Sequence, residues 1–261
     1  MSSNLSIGMM ADVSLSYFLW TPMSADPGTL KISRSTFLDA YRGFAVLLMM
    51  IFHLCWDLGN FGFISFSFAD PFWIDFRRVI VTLFLTAVGW SAYLSNRQRL
   101  RLIIWPRDAK VLLAAVLISL GTYLALPNNW VFFGILHFIF LATFLVRPLS
   151  RRPILSALIG SAILVIYSET SWLHFPNALP TIVHYLNLPH QTLDILFPLP
   201  WIGVVLIGPL LGYLNWHKCT IPNHFLVRAL SAMGRFALPI YLLHQLILFA
   251  LVALAKIVLS H

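Results

Sequence analysis

The chain has 261 residues, 59% of them hydrophobic and only 10% charged, and its mean hydropathy is +0.84. That exceeds what a soluble core of this size can bury and excludes an ordinary soluble domain, while continuous rather than alternating apolar runs exclude a β-barrel. The net charge of +8 reads as topology-setting loop charge, not as a nucleic-acid surface.

Taken in order, residues 1–36 form a cytoplasmic or interfacial segment. Tyr17, Phe18, Leu19 and Trp20 suit an interface, but the stretch is too short to cross. No basic region precedes an apolar run there, so no signal peptide reads out. Residues 37–261 make a single transmembrane domain. About seven spans, each near the 20 residues that a bilayer requires, are expected at 38–58, 74–95, 110–126, 130–146, 153–168, 199–216 and 236–258. The fold class is therefore all-α, a polytopic membrane helix bundle.

Fourteen of the 17 Lys and Arg residues fall on one side of these spans. Arg77, Arg78 and Lys256 fall on the other. The positive-inside rule then places the N-terminus in the cytoplasm and the C-terminus outside. Arg77 and Arg78 oppose the rule and are expected to face the bundle interior. Cys55 and Cys219 lie on opposite sides, so no structural disulfide is expected. The outer connections are rich in aromatic residues and glycine after the first span. The longest of them, from Glu169 to Pro198, holds His174, His184, His190 and Asp194, and a loop of that length invites function.

The first span, LDAYRGFAVLLMMIFHLCWDL, carries Asp39, Arg42, His53 and Asp57. Ionisable groups inside a span are costly and mark functional sites. Arg42 and His53 are 11 residues apart, so they lie about 20° apart around the axis and about 16 Å apart along it. Val46 and Met49 fill the stripe between them. Asp57 follows His53 by one turn, within reach to orient an imidazole as a general base. The competing readings are a snorkelling anchor for Arg42 and a histidine satisfied by a nearby carbonyl for His53.

His137, in FFGILHF, and His244, in LPIYLLHQ beside Gln245 and on nearly the same face as Tyr241, are two more histidines in apolar spans. Each alone reads as a structural hydrogen-bond partner. All three must face protein or a water-filled cavity, and their convergence would make a site. Their different depths and the lack of short ligand spacing argue against a metal. In PWIGVVLIGPLLG, the spacing of Gly203, Gly208 and Gly212 reads as close helix packing.

These residues resemble a known family. LDAYRGFAVLLMMIFHLCWDL is similar to the first span of the heparan-alpha-glucosaminide N-acetyltransferase catalytic-domain family, including its small bacterial members. More distantly it resembles the acyltransferase-3 superfamily, whose first span spaces an Arg and a His as Arg42 and His53 are spaced. The likeness continues through VGWSAYL, FGILHFIFLA, PWIGVVLIGPLLG and GRFALPIYLLHQLIL, over roughly residues 34 to 255.

The resemblance implies an integral-membrane acyltransferase, multi-pass in a bacterial inner membrane. It would move an acyl group, acetyl above all, from cytoplasmic acyl-CoA to a small acceptor such as a sugar, with no metal. It assigns His53 as base with Asp57 orienting it, Arg42 to the donor, and His137, His244, Tyr241 and Trp201 to the lining of the site. The family's transfer histidine lies in the loop after the first span. Residues 59 to 77 hold none, which leaves His53 or a histidine of the long outer loop for that role. Beyond the bilayer and the acceptor, a homo-oligomer is compatible with the sequence. The alternative function is a proton-coupled carrier of a small polar solute, for which buried His and Asp serve equally well; a noncatalytic membrane scaffold is the third reading.

Overall fold

A computed structural model of the chain describes residues 35–65, 67, 69–96, 106–171, 185, 194, 196–222 and 224–259. The expectations for the N-terminal segment, for the basic run at Arg97, Arg99 and Arg101, and for His174, His184 and His190 lie outside the described residues. Within them there are eight α-helices, one short 3-10 turn and no β-strand. The helices are α1 (Thr36–Asn60), α2 (Pro71–Asn96), α3 (Pro106–Ala125), α4 (Ile135–Leu149), α5 (Pro153–Glu169), α6 (Pro198–Tyr213), α7 (Phe225–Arg235) and α8 (Ala237–Leu259).

Seven of these helices coincide with the expected spans. Four of them, α1, α2, α3 and α8, are long and apolar enough to cross a bilayer, while α4, α5 and α6 are apolar but shorter. The shortest, α4, is 15 residues where 17 were expected. Its first turn is replaced by extended chain up to Gly134, because His137 and Asp194 supply an N-terminal cap there. Apolar side chains such as Leu246 and Leu254 of α8 remain exposed, as a lipid-facing surface requires.

The eighth helix, α7, was not expected. Its sequence FLVRALSAMGR is amphipathic and only 11 residues long, too short to cross and easily taken for connecting chain. Ser231 and Gly234 are its buried residues, and they lie against α1. The Ser231 hydroxyl donates to the Thr36 carbonyl at 3.3 Å. The break between α7 and α8 has an identifiable cause. Pro239 cannot donate to the Arg235 carbonyl four residues back, and its ring crowds it.

Side-chain pairs fix the helix directions. Arg42 bonds Ser91 while Phe52 meets Phe76, so α1 and α2 run in opposite senses. Likewise α3 and α4 are joined by Asp108–Arg147 at one end and Ser119–His137 at the other. In contrast, α1 and α8 run in the same sense, with His53 against His244 and Phe61 against Phe249.

The main core gathers Leu85 and Ala92 of α2, Phe138, Ala142 and Val146 of α4, and Val204 to Leu206 of α6. Here α2 and α6 approach so closely that a Cβ on Gly208 would stand 2.4 Å from the Thr86 carbonyl oxygen. The small-residue reading of the sixth span accounts for this crossing. Val46 and Met49 are buried in a second cluster against Ile80, with Ile240 and Tyr241 of α8 packed on it.

Candidate active site

The polar residues of α1 divide into two groups, one toward each end of the helix. At the N-terminal end, Asp39 is buried and holds the Arg42 guanidinium at 2.9 Å. A second Arg42 nitrogen donates to the Ser91 hydroxyl of α2, also at 2.9 Å. Arg235 at the end of α7 lies 3.8 Å from the other Asp39 oxygen, with 55% of its side chain exposed. Arg42 thus ties α1 to α2, and Arg235 is the cation of this group that reaches out of the bundle.

At the other end, α1 and α8 bring together His53, Asp57, His244 and Gln245. The two imidazole rings are 4.8 Å apart between centroids and meet edge to face at 66°. Asp57 is fully buried (0% exposed) and accepts a hydrogen bond from the Gln245 amide at 2.9 Å. The expectation that Asp57 orients His53 therefore meets a different arrangement. The bond that Asp57 makes is to Gln245 of α8, one residue beyond His244. His53 makes no hydrogen bond to the protein among the described residues.

His244 is 6% exposed. Its Nδ1 lies 2.8 Å from the Tyr241 carbonyl oxygen and 3.2 Å from that of Ile240. Its Nε2, the second Asp57 oxygen and the Gln245 amide oxygen are buried without a hydrogen-bond partner among the described residues. Leaving a buried polar atom unmet costs on the order of 1–3 kcal/mol. Three such atoms lie on His244, on the adjacent Gln245 and on the Asp57 that Gln245 bonds, so polar groups as well as apolar packing meet here.

Tyr241 connects this pair to a second group. Its ring centroid is 5.8 Å from that of His244, and it also lines a narrow crevice with His137, Asp194, Gly134 and Val131. There, Asp194 accepts from the Ile135 amide at 3.1 Å, at the positive end of α4. Burial raises the Asp194 carboxyl above its ordinary value, against the opposing Ile135 N–H and the positive charge of Arg77. Arg77, expected to face inward, is exposed yet acts electrostatically on this carboxyl.

His137 does not join the other two histidines. Its Nδ1 accepts from the Gly134 amide at 3.2 Å, so its proton sits on Nε2 and is directed to the Ser119 hydroxyl at 3.2 Å. Ser119 donates onward to the Val131 carbonyl at 2.7 Å. Both ring nitrogens are thus engaged, which is the structural role that a lone histidine in a span invites. Trp201 packs against the main core.

Gln245 and Asp194 were missed as candidate site residues. The signal for Gln245 was its place beside His244, and for Asp194 an acidic residue in the longest outer loop. Among the described residues no cluster of ligating side chains suits a metal ion.

The sequence profile described as "Heparan-alpha-glucosaminide N-acetyltransferase, catalytic" matches residues 34–246, from just before α1 to just beyond the His244–Gln245 pair. The chain belongs to this family. Comparison with curated proteins and with solved structures returned no match. Membership in this family implies a transferase, in general a membrane acetyltransferase, and the matched region contains both polar groups of α1 and their partners on α2, α7 and α8.

Proposed function

We propose that the chain transfers an acetyl group from acetyl-CoA, supplied on the cytoplasmic side, to a small acceptor such as an amino sugar. It would act from a bacterial cytoplasmic membrane, with its N-terminus inside and its C-terminus outside. The observation that carries the reading is the convergence of His53, His244, Asp57 and Gln245 inside apolar helices of a member of an N-acetyltransferase family.

The residues fit such a donor at both ends of α1. Arg235 and Arg228 are exposed near the N-terminal end and match phosphates in charge. Arg42, whose nitrogens bond Asp39 and Ser91, keeps that end of the bundle closed around Asp39. About 16 Å further along the axis, the paired imidazoles face each other, and the pair takes up the proton that the acceptor loses. His53, half-buried and without a hydrogen bond of its own, contacts the acceptor. Asp57, fixed by Gln245, presents its second oxygen to an acceptor N–H or O–H. When bound, the donor contributes an activated thioester carbonyl. The protein contributes orientation, exclusion of water and a place for the proton.

The test uses the full chain in lipid nanodiscs. Acetyl-CoA is expected to raise its thermal midpoint, since a ligand of the folded state at 100 times its Kd adds about 2.7 kcal/mol. Radiolabelled acetyl is expected to appear on glucosamine. No stabilisation by acetyl-CoA and no label on any of a panel of amino sugars would refute the reading. Solute-dependent proton flux in proteoliposomes without thioester turnover would establish the carrier instead.

A further inference from the structure

We propose that His244, through Nε2, is the general base of this site, and that His53 is the contact residue beside it. The proposal rests on the acetyltransferase reading and adds the atom that takes the proton.

The argument starts from hydrogen-bond inventory. A carbonyl oxygen only accepts, and Nδ1 of His244 faces two of them, Tyr241 at 2.8 Å and Ile240 at 3.2 Å. Nδ1 must therefore carry the hydrogen. In the neutral ring that leaves Nε2 as a bare lone pair. The lock is internal to α8, because the two carbonyls lie one turn before the ring on the same helix. A base needs its tautomer fixed by one nitrogen and its lone pair presented by the other. His244 has both.

His53 has neither. It makes no hydrogen bond to the protein among the described residues, so nothing sets which nitrogen bears its proton. His137 is the converse case, with both nitrogens engaged. The three histidines of the apolar helices thus separate cleanly. One is satisfied, one is undirected, and one is locked with a buried lone pair that meets no protein donor. That lone pair belongs to the ring that faces His53 at 4.8 Å. The adjacent residue, Gln245, bonds Asp57, and each of these two also keeps a buried oxygen without a partner among the described residues.

The proposed step balances. The acceptor nitrogen or oxygen forms a bond to the acetyl carbonyl carbon, and its proton passes to Nε2 of His244. The bond from that carbon to sulfur breaks, and the sulfur leaves with the electron pair. His244 then returns the proton to the sulfur. One acetyl group moves one way, one proton the other, and nothing is oxidised or reduced. Asp57 is not hydrogen-bonded to His244, so the carbonyl of Tyr241 takes the orienting place that a carboxylate fills elsewhere.

The experiment pairs two substitutions with a direct reading of the tautomer. His244→Asn keeps a donor where Nδ1 stood and removes Nε2. It is expected to lower kcat by about 10²- to 10⁴-fold, the usual worth of a positioned base, with the thermal midpoint retained. His53→Asn is expected to raise KM for the acceptor, with kcat within about threefold, as loss of uniform binding does.

Independently of activity, 15N spectra of histidine-labelled protein are expected to show a pyridine-type Nε2 signal that disappears in His244→Asn. A pyrrole-type Nε2 at His244, or a kcat loss that follows His53 instead of His244, would overturn the proposal while leaving the acetyltransferase reading intact. Wild-type protein that turns over no acetyl thioester would sink both together.

Discussion

Gly234→Ala tests how tightly the α1–α7 crossing is built and whether it sets the site. A Cβ on Gly234 would stand 1.8 Å from the Asp39 carbonyl oxygen, short of the 3.4 Å at which ordinary contact begins by about 1.6 Å. On the facing helix, a Cβ on Gly43 would stand equally close to the Leu230 carbonyl oxygen. Both obstacles are backbone, so no rotamer relieves them and the helices must part. Alanine gains about 1 kcal/mol of helix propensity over glycine, and overpacking of this kind costs about 1–3 kcal/mol or more. Because the obstacle is backbone at 1.8 Å, the upper end of that cost applies and the net expectation is a loss of about 2 kcal/mol.

The displacement also reaches the site. One residue, Phe236, separates α7 from α8, and His244 lies on α8. A shift of about 1 Å in a reacting group can cost about 10²-fold, so acetyl transfer should fall about 10- to 100-fold. Thermal inactivation in detergent and label transfer measure the two effects. Gly121→Ala on α3, where a Cβ meets nothing within 4 Å, is the control and should be neutral or stabilising. Gly234→Ala protein that melts at or above the wild-type midpoint would refute the close crossing.

Three further predictions address the other polar groups. Asp108→Asn leaves the guanidinium of Arg147 buried without its carboxylate and should cost about 3–5 kcal/mol, with Asp108→Leu/Arg147→Met recovering most of it; additive losses in a double-mutant cycle would show no coupling. His137→Ala removes an amide acceptor and a bond to Ser119 and should cost about 1–2 kcal/mol. Transfer should stay within a few-fold, and a hundredfold loss would place His137 in the chemistry.

Asp194 gives a pH dependence of defined sign. Burial raises its carboxyl above the ordinary 3.8, so the folded state favours the protonated form. The stability this contributes is complete below the ordinary value and is lost as pH rises through the raised one. Thermal midpoints should therefore fall more steeply with rising pH in wild type than in Asp194→Asn, and identical slopes would exclude Asp194 as the source.

The helices were legible because bilayer-length apolar runs are a one-dimensional signal. The stripe of Val46 and Met49 was legible for a related reason: helical periodicity alone places both on one face, and both are buried. Residues that depend on a partner far along the chain were not legible. Arg42 and His53 share a face of α1, yet Arg42 meets Ser91 of α2 and His53 meets His244 of α8. No periodicity tells which helix flanks which end. The start of α4 was misplaced because its cap is Asp194, 59 positions away. The helix α7 escaped notice because its stability comes from glycine-mediated contact with α1, and glycine is a poor helix signal.

The histidines show why the sequence left the base open. A histidine inside a helix can bond back to a carbonyl three or four residues before it, so the Nδ1 contact of His244 is by itself the bland outcome expected of a buried imidazole. What distinguishes it is the other nitrogen, and that depends on α1. His244 meets His53 of α1, and the adjacent Gln245 meets Asp57 one turn further along α1. One N–H of the Gln245 amide goes to Asp57, and Nε2 of His244 meets no donor among the described residues. The packing of α8 on α1 is therefore what turns an ordinary helical histidine into a candidate base.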